Sequence, residues 1–536
     1  MKIYLAQINT KIGDFQGNYE KILREFKKAQ ERNCDLVIFP EMTLTGYDAR
    51  DLWLRSAFID ESNSYLTKII EATKSCKCAI LVGAPYVEKN KKYNAVLLVE
   101  NGEIVSVVRK KILPNFSVFD EKRYFVSSDI LSYIKFRDKT LSLLICEDMW
   151  HATNHYLMQE QIFDFVVVVN ASPFENDKLQ KRLEMARNLV AKVAKPLIYV
   201  NQIGGQDCLV FDGNSFVLDE KGQEVLMLKG FEEDSAIIDV GAHHMRLHRD
   251  FASGAGACDA PLRSLYQACV LGLRDYIHKT NHQKILLGMS GGIDSALVAA
   301  IAVDALGREN VALYALPSRY NSNESMNDAL VTAKNLGLDL QIISIEEIFE
   351  EMLKTLENQG ISALAKENIQ SRIRGNILMA LSNSSGALLL STGNKSELAV
   401  GYSTIYGDMC GAFNPLKDLY KTQIYELAKW RNSNSDVIAP NILVKEPTAE
   451  LRENQKDSDS LPPYKILDKI LYQLIEEQKS VENIVAMGYN QELVKKIVKL
   501  LQNSEFKRQQ APLGVKLSTM SFDRDWRYPI ANSYKL

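Results

Sequence analysis

The chain has 536 residues, 46% of them hydrophobic and 24% charged, with a formal net charge of -3. That length allows roughly two to four domains, and the composition is that of an ordinary globular protein with cores to bury. The charge argues against broad nucleic-acid binding, no apolar run is long enough to cross a membrane, and the start, Met1-Lys2-Ile3-Tyr4-Leu5-Ala6-Gln7, turns polar too soon for a signal peptide. The eight cysteines are dispersed, and only Cys76 and Cys78 are close, which is poor metal spacing. They read as reduced and inert, as in a cytoplasmic protein.

Residues 1 to about 245 alternate strand-like and helix-like patterns. The predicted strands are Ile3–Ile8, Leu36–Phe39, Ala79–Gly83, Leu141–Cys146, Phe165–Asn170 and Leu197–Asn201. Asn101-Gly102 marks a hairpin between Asn94–Glu100 and Glu103–Arg109, and Glu220-Lys221-Gly222 marks a second. Tyr19, Ile22, Leu23 and Phe26 share one helical face, as do Leu183, Ala186, Leu189 and Val190. The mixture predicts an α/β sandwich with mixed sheets.

Cys146 closes an apolar strand and is followed by Glu147-Asp148. Alone it reads as a core cysteine. Phe39-Pro40-Glu41, however, puts a carboxylate straight after a buried strand, and Arg109-Lys110-Lys111 puts cations after a hairpin strand. With Leu113-Pro114-Asn115-Phe116, Phe119-Asp120-Glu121 and Asn170-Ala171-Ser172-Pro173-Phe174, these segments resemble the nitrilase (carbon–nitrogen hydrolase) superfamily. The resemblance implies an α/β/β/α sandwich over 1–248 and a Glu41, Lys110 and Cys146 triad. Lys110 is preferred to Lys111 because the family spaces its lysine as K-x-x-L. The chemistry suits the residue types. A thiolate attacks a poor electrophile such as an amide. A lysine lowers the thiol pKa and stabilises the oxyanion, and a glutamate moves the protons. By the same resemblance Ser172 and Lys178 hold the two ends of glutamine. Phe116 stands where the family's glutaminases have tyrosine. Glu121 either orients the lysine or is a solvated charge.

The glycine- and alanine-rich stretch Phe251 to Ala257 reads as part of a linker, 249–264. Strands and helices then alternate again over 265–536, with strands at Ile285–Met289, Val311–Leu316, Gln341–Ile345 and Ala387–Ser391. That pattern predicts a doubly wound parallel sheet. After the first of these strands comes Ser290-Gly291-Gly292-Ile293-Asp294-Ser295. Strand, glycine loop and helix N-terminus together cradle a phosphate. Asp294 cannot bind phosphate directly, but it can through Mg²⁺. No Lys follows the glycines, so this is not the usual triphosphatase loop. The plain alternative is a glycine turn. The loop resembles that of the ATP pyrophosphatases, which cleave ATP between its α- and β-phosphates and adenylate a substrate.

Further on, Ser391-Thr392-Gly393-Asn394-Lys395-Ser396-Glu397 forms a second strand-to-helix turn, with Glu397 suited to Mg²⁺, to substrate or merely to a helix first turn. With Glu367 to Arg374, Gly401 to Asp408, Lys421, Glu446 to Leu451, Asp457 to Tyr464 and Phe506-Lys507-Arg508, the set resembles the NAD⁺ synthetases. The resemblance implies ATP at Gly288, Met289, the Ser290–Ser295 loop (with Ile293), Thr392, Lys421 and Thr448. It implies deamido-NAD⁺ at Asn368, Arg372, Glu397, Asp408 and Lys507, and Mg²⁺ at Asp294 and Glu397, with no redox cofactor. Ile405 and Ala412 replace charged residues of the shorter, ammonia-dependent synthetases. Read together, the halves resemble the glutamine-dependent branch, cytoplasmic homo-oligomers with an ammonia tunnel and no nucleic-acid or membrane partner. Three alternatives stand beside it: another glutamine-dependent ATP pyrophosphatase, a nitrilase fused to an unrelated adenylating domain, and a non-catalytic scaffold. Lys2 excludes an N-terminal cysteine nucleophile of the asparagine-synthetase type, and there is no G-x-C-x-G of the GMP-synthetase type.

Overall fold

A computed structural model describes residues 1–241, 245–247 and 261–534. The chain divides into two compact units, Met1–Asp259 and Ala260–Leu536. The Phe251 to Ala257 stretch lies outside the described residues. At the other end of the expected linker, 261–264 are already helical, opening Pro261–Lys279.

The first unit holds two large sheets. Lys2–Gln7 is central to a seven-stranded one, parallel to Leu36–Ile38 and antiparallel to Asp234–Val240. The six-stranded sheet contains a parallel run of Lys139–Ile145, Phe165–Asn170 and Leu197–Asn201. Side chains alternate along each strand, so each sheet has two apolar faces to cover. Ile3, Leu5, Val167 and Val169 join one core shared by the two sheets. Tyr4 and Ala6 face Ile22 and Phe26 of the helix Phe15–Glu31. Val166 and Val168 face Leu183, Ala186, Leu189 and Val190 of the helix Lys178–Val193. The result is helix, sheet, sheet, helix. Asn101 and Gly102, at φ 50° and 84°, turn the expected hairpin with Glu100 paired to Glu103.

The second unit has a four-stranded parallel sheet in the spatial order Leu340–Ile342, Val311–Ala315, Ile285–Gly288, Leu388–Leu389. The chain order is therefore 3-2-1-4, and the first and fourth strands flank the topological switch point, where doubly wound sheets bind ligands. Leu286, Tyr314 and Leu389 pack on the helices Glu346–Thr355 and Ala363–Ser385 through Phe349, Ile369 and Ile373. The helix Ile293–Leu306 packs on the first two strands. The last strand is shorter than the expected Ala387–Ser391: Leu390 still donates to the Leu286 carbonyl at 2.9 Å but also bridges Phe413, and Ser391 N donates to Phe413. A helical cluster follows, Tyr464–Ile475, Val481–Ala486 and Gln491–Asn503, its core shared with Leu398 and Val400. Among the described residues, no helix is long and apolar enough to cross a membrane.

Two candidate active sites

In the first unit, strand ends deliver the chemistry. Cys146 follows Lys139–Ile145 directly and adopts φ 47°, a left-handed conformation uncommon outside glycine. Lys110 follows the hairpin strand Glu103–Arg109 and is 1% exposed. Its Nζ donates to Glu41 Oε1 at 2.8 Å and to Glu121 Oε1 at 2.7 Å. Glu41 also accepts from Asn94 Nδ2 at 2.6 Å and from Ala171 N at 2.9 Å. Glu121 accepts from Tyr47 Oη at 2.8 Å. Glu121 is thus fully buried and not a solvated charge. Lys111 instead reaches outward to the Asp129 carbonyl at 3.0 Å, whereas Lys110 lies between the two buried carboxylates.

The electrostatics follow from this cage. Burial opposes the charge on Lys110, yet Glu121 and Glu41 outweigh it and hold the ammonium well above its ordinary range. Burial pushes Glu121 up to about 7 against the pull of Lys110. Burial and Glu41 push the Cys146 thiol up while Lys110 pulls it down, and the net direction is upward. Cys146 therefore rests as a thiol, with the Glu41 carboxylate among the charges that act on it.

Ser172 lies at the end of the next parallel strand, and its Oγ accepts from Arg182 Nε at 3.1 Å. Lys178 opens its helix with Nζ 5.1 Å from the Trp150 ring, and burial lowers its pKa. Phe116 is not drawn into this cage. It is 56% exposed and meets Phe119 ring to ring at 5.8 Å. Sequence reasoning missed Tyr47, Asn94 and Arg182. Arg182 is fully buried and pairs with Asp212 at 2.8 Å.

In the second unit the glycine loop turns at the switch point. Ser290 Oγ and Ser295 Oγ lie 3.1 Å apart, and Gly292 N donates to Ser290 Oγ at 3.2 Å. Gly291 has φ +77°, and a Cβ there would lie 2.0 Å from the Ser325 carbonyl oxygen. Gly291→Ala is accordingly expected to destabilise this unit by about 2 kcal/mol or more. Chemical denaturation would show it as a lower midpoint, and an unchanged midpoint would mean that the loop relaxes freely.

Lys421 Nζ bridges Asp294 Oδ2 at 2.6 Å and Glu397 Oε1 at 3.0 Å. Asn394 caps the helix Lys395–Val400 and donates to Asp294 Oδ1 at 3.0 Å. Glu397 is thus both a first-turn residue and part of the charged cluster. Burial pushes Glu397 up to about 8, with Lys421 pulling down and Asp294 adding to the rise. Asp294, Glu397, Lys421 and Thr448 line a cavity of about 250 Å³, which also meets Thr392 and Asp408. An adjoining cavity of about 180 Å³ is lined by Gly288, Met289, Leu316, Met326 and Leu378. Arg374, missed from sequence, borders both; burial pulls its guanidinium down to about 10.

The remaining predicted residues gather on the 401–408 turn. Asn368 Oδ1 accepts from Thr404 Oγ1 at 2.9 Å, and exposed Arg372 donates to the Ile405 carbonyl at 3.2 Å. Asp408 accepts from Thr404 N at 2.6 Å and is pushed up to about 6 by burial. Lys507 donates to the carbonyls of Gly401 and Ser403, both at 2.7 Å. Lys395, inside the same motif as Glu397, is fully buried and donates to Ser518 Oγ at 2.7 Å, to Met520 O at 2.9 Å and to Glu476. It serves packing rather than the cavity. Among the described residues no cluster of three or more His, Cys, Asp or Glu is arranged to hold a metal alone.

Both halves of the chain match known families. Residues 2–249 match the carbon-nitrogen hydrolase family and residues 265–511 the NAD synthase family. The chain is 39% identical to the glutamine-dependent NAD(+) synthetase of Thermotoga maritima, over 100% of this chain and 99% of that protein. It is 42% identical to the one from Synechocystis sp., over 99% of each. A solved glutamine-dependent NAD+ synthetase from Acinetobacter baumannii, in complex with adenosine diphosphate, superposes with a TM-score of 0.80 at 36% identity, covering 99% of this chain and 98% of that one. With a cysteine–lysine–glutamate cage in one unit, a glycine loop at a switch point in the other, and relatives that match end to end, this chain belongs to the glutamine-dependent NAD(+) synthetase family.

Proposed function

We propose that the chain converts deamido-NAD⁺ to NAD⁺, with ATP as co-substrate and L-glutamine as the nitrogen source. One observation carries this reading. A single chain pairs the buried Glu41–Lys110–Cys146 set with a glycine loop facing a Lys421-bridged carboxylate pair. The amidohydrolase role is assigned to 1–248 and the synthetase role to 265–536, in line with the two family matches.

In the first half-reaction the Cys146 thiol attacks the glutamine carboxamide carbon. Glu41 takes the thiol proton, passes it to departing ammonia, and later draws a proton from the water that cleaves the thioester. Lys110, kept cationic by its two carboxylates, stabilises the oxyanion. Ser172 and Lys178 suit the two charged ends of glutamine, with Glu121 holding Lys110 and exposed Phe116 assigned to the same substrate.

In the second, the nicotinate carboxylate attacks the α-phosphorus of ATP, pyrophosphate departs, and ammonia displaces AMP from the adenylate. The Ser290–Ser295 loop and Lys421 offset the charge of pyrophosphate, with Thr392 and Thr448 lining its cavity. The adjoining apolar cavity suits adenine. Asn368, Arg372, Asp408 and Lys507 are assigned to deamido-NAD⁺.

Asp294 and Glu397 fit Mg²⁺. Both are hard oxygen donors, and the rise of Glu397 to about 8 marks a cluster short of positive charge. Mg²⁺ needs only one or two protein carboxylates when phosphates and water fill its shell, and when bound it neutralises developing phosphate charge. The same rise has a consequence for stability. The unfolded carboxyl titrates near ~4.3, so across the window up to about 8 the folded state holds the extra proton. Stability therefore falls as pH rises through that window. Ligand-free Glu397→Gln is expected to melt above wild type at pH 8 and close to it at pH 5. A wild-type advantage at pH 8 would contradict this.

The test is NAD⁺ formation from deamido-NAD⁺, ATP and Mg²⁺ with glutamine or ammonium. NAD⁺ is expected from either source, with AMP and pyrophosphate. NAD⁺ from neither would sink the substrate assignment.

A further inference from the structure

Asp148 follows the nucleophile by two residues, and its buried carboxylate gathers backbone N–H groups from two separate segments. Oδ1 accepts from Ile112 N at 2.7 Å and Lys111 N at 3.1 Å, and Oδ2 accepts from Ile145 N at 3.1 Å. Lys111 and Ile112 are the residues leaving Lys110, whereas Ile145 ends the strand that delivers Cys146. We infer that Asp148 is a positioning residue of the glutamine site, clamping the segment that carries Lys110 to the turn that carries Cys146.

Three features of the surroundings support this. Lys110 is fixed on its strand side by its own N–H, which donates to the Asn94 carbonyl at 2.8 Å, and Asp148 fixes the side that leaves the strand. Cys146 holds φ 47°, a conformation that costs a non-glycine residue about 1–3 kcal/mol unless its surroundings impose it. The bond from Ile145 N closes that turn from within, while Asn154 Nδ2 donates to the Asp148 carbonyl at 2.8 Å and anchors its far side. Finally, burial pushes the carboxyl up to about 6, and the N–H groups and Lys110 pull it back, so that it is ionised at neutral pH. A carboxylate is needed because three donors converge on two oxygens. An amide offers one acceptor oxygen and turns its own N–H₂ toward a backbone N–H, leaving a buried donor unpaired.

The inference rests on the glutaminase reading, so wild-type glutamine hydrolysis is measured first. Its absence would count against that reading before any variant is compared. Given activity, Asp148→Asn is expected to lower kcat for glutamine hydrolysis about 100-fold, the scale of a small misplacement of reacting groups. KM for glutamine should stay within about threefold, because Ser172 and Lys178 are untouched, and ammonium-supported NAD⁺ formation should stay within about twofold. Alkylation of Cys146 by iodoacetamide should slow in parallel with kcat. Asp148→Glu, which keeps both acceptors, should retain about tenfold more activity than the isosteric Asn. A role in packing alone predicts the reverse order, since Asn matches the volume and Glu does not. Asn activity within threefold of wild type, Asn equal to or better than Glu, or parallel loss of the ammonium-supported reaction would each overturn the proposal.

Discussion

Replacing Cys146 with alanine is expected to abolish glutamine-supported NAD⁺ formation while ammonium-supported formation persists. The loss should be on the order of 10⁵-fold, the scale seen when a covalent nucleophile is removed. Neither Lys110 nor Glu41 can replace the thiol. Lys110 is held cationic, and so without a free electron pair, by two carboxylates at 2.8 and 2.7 Å, and Glu41 is assigned the proton transfers. The synthetase residues belong to a separate compact unit, so the variant leaves their chemistry intact. Persistent use of glutamine by Cys146→Ala would mean that the nucleophile is misassigned. Loss of the ammonium reaction as well would mean that the two half-reactions cannot be separated.

The proposed nucleophile and its proposed base are legible in the sequence because they sit where apolar runs stop. A charged or reactive residue placed directly after a buried strand, as in Phe39-Pro40-Glu41 or Ile145-Cys146, has to emerge at a strand end. The parallel strands Phe165–Asn170 and Leu197–Asn201 are legible for the same reason, since a strand covered on both faces is apolar throughout. The glycine loop is readable as strand, turn and helix start. What orients these groups is not. Tyr47 and Asn94 contact Glu121 and Glu41 across 74 and 53 residues, and no local pattern encodes such a pairing. Asn94 leaves a trace only as a polar residue opening an apolar strand. Lys395 misleads in the opposite sense. It lies inside a motif of ligand-facing residues, yet its ammonium is enclosed by Asp418, Glu476, Ser518 and the Met520 carbonyl. The helices of 464–503 are amphipathic, but their apolar faces pack on Leu398 and Val400, a partner visible only in three dimensions.

The second large effect concerns Lys421. Lys421→Met is expected to lower NAD⁺ formation by about 10³-fold with either nitrogen source, and to leave glutamine hydrolysis measured without ATP unchanged. The lysine has two tasks at one place. In the ligand-free chain it separates Asp294 from Glu397, with contacts of 2.6 and 3.0 Å, and the two carboxylates hold it strongly in its charged form. In the proposed reaction it offsets charge on the departing pyrophosphate. Methionine keeps most of the side-chain length and removes the charge with its N–H donors, so the loss reads polar interactions rather than volume. It also leaves the two acidic groups facing each other without their cation, so Glu397 should hold its proton to still higher pH. A melting curve of the variant distinguishes catalytic loss from unfolding. If the variant melts as a folded protein and still makes NAD⁺ from ammonium at more than a tenth of the wild-type rate, Lys421 does not stabilise the leaving group, and that role would pass to the backbone N–H groups of the Ser290–Ser295 loop. Arg374, a half-buried cation that also lines this cavity, donates to the Leu316 carbonyl at 2.8 Å and to Asn321 Oδ1 at 3.0 Å and would have to give up these contacts to substitute. The discriminating comparison is therefore the nitrogen-source dependence of the two variants: Cys146→Ala should fail with glutamine alone, and Lys421→Met should fail with both.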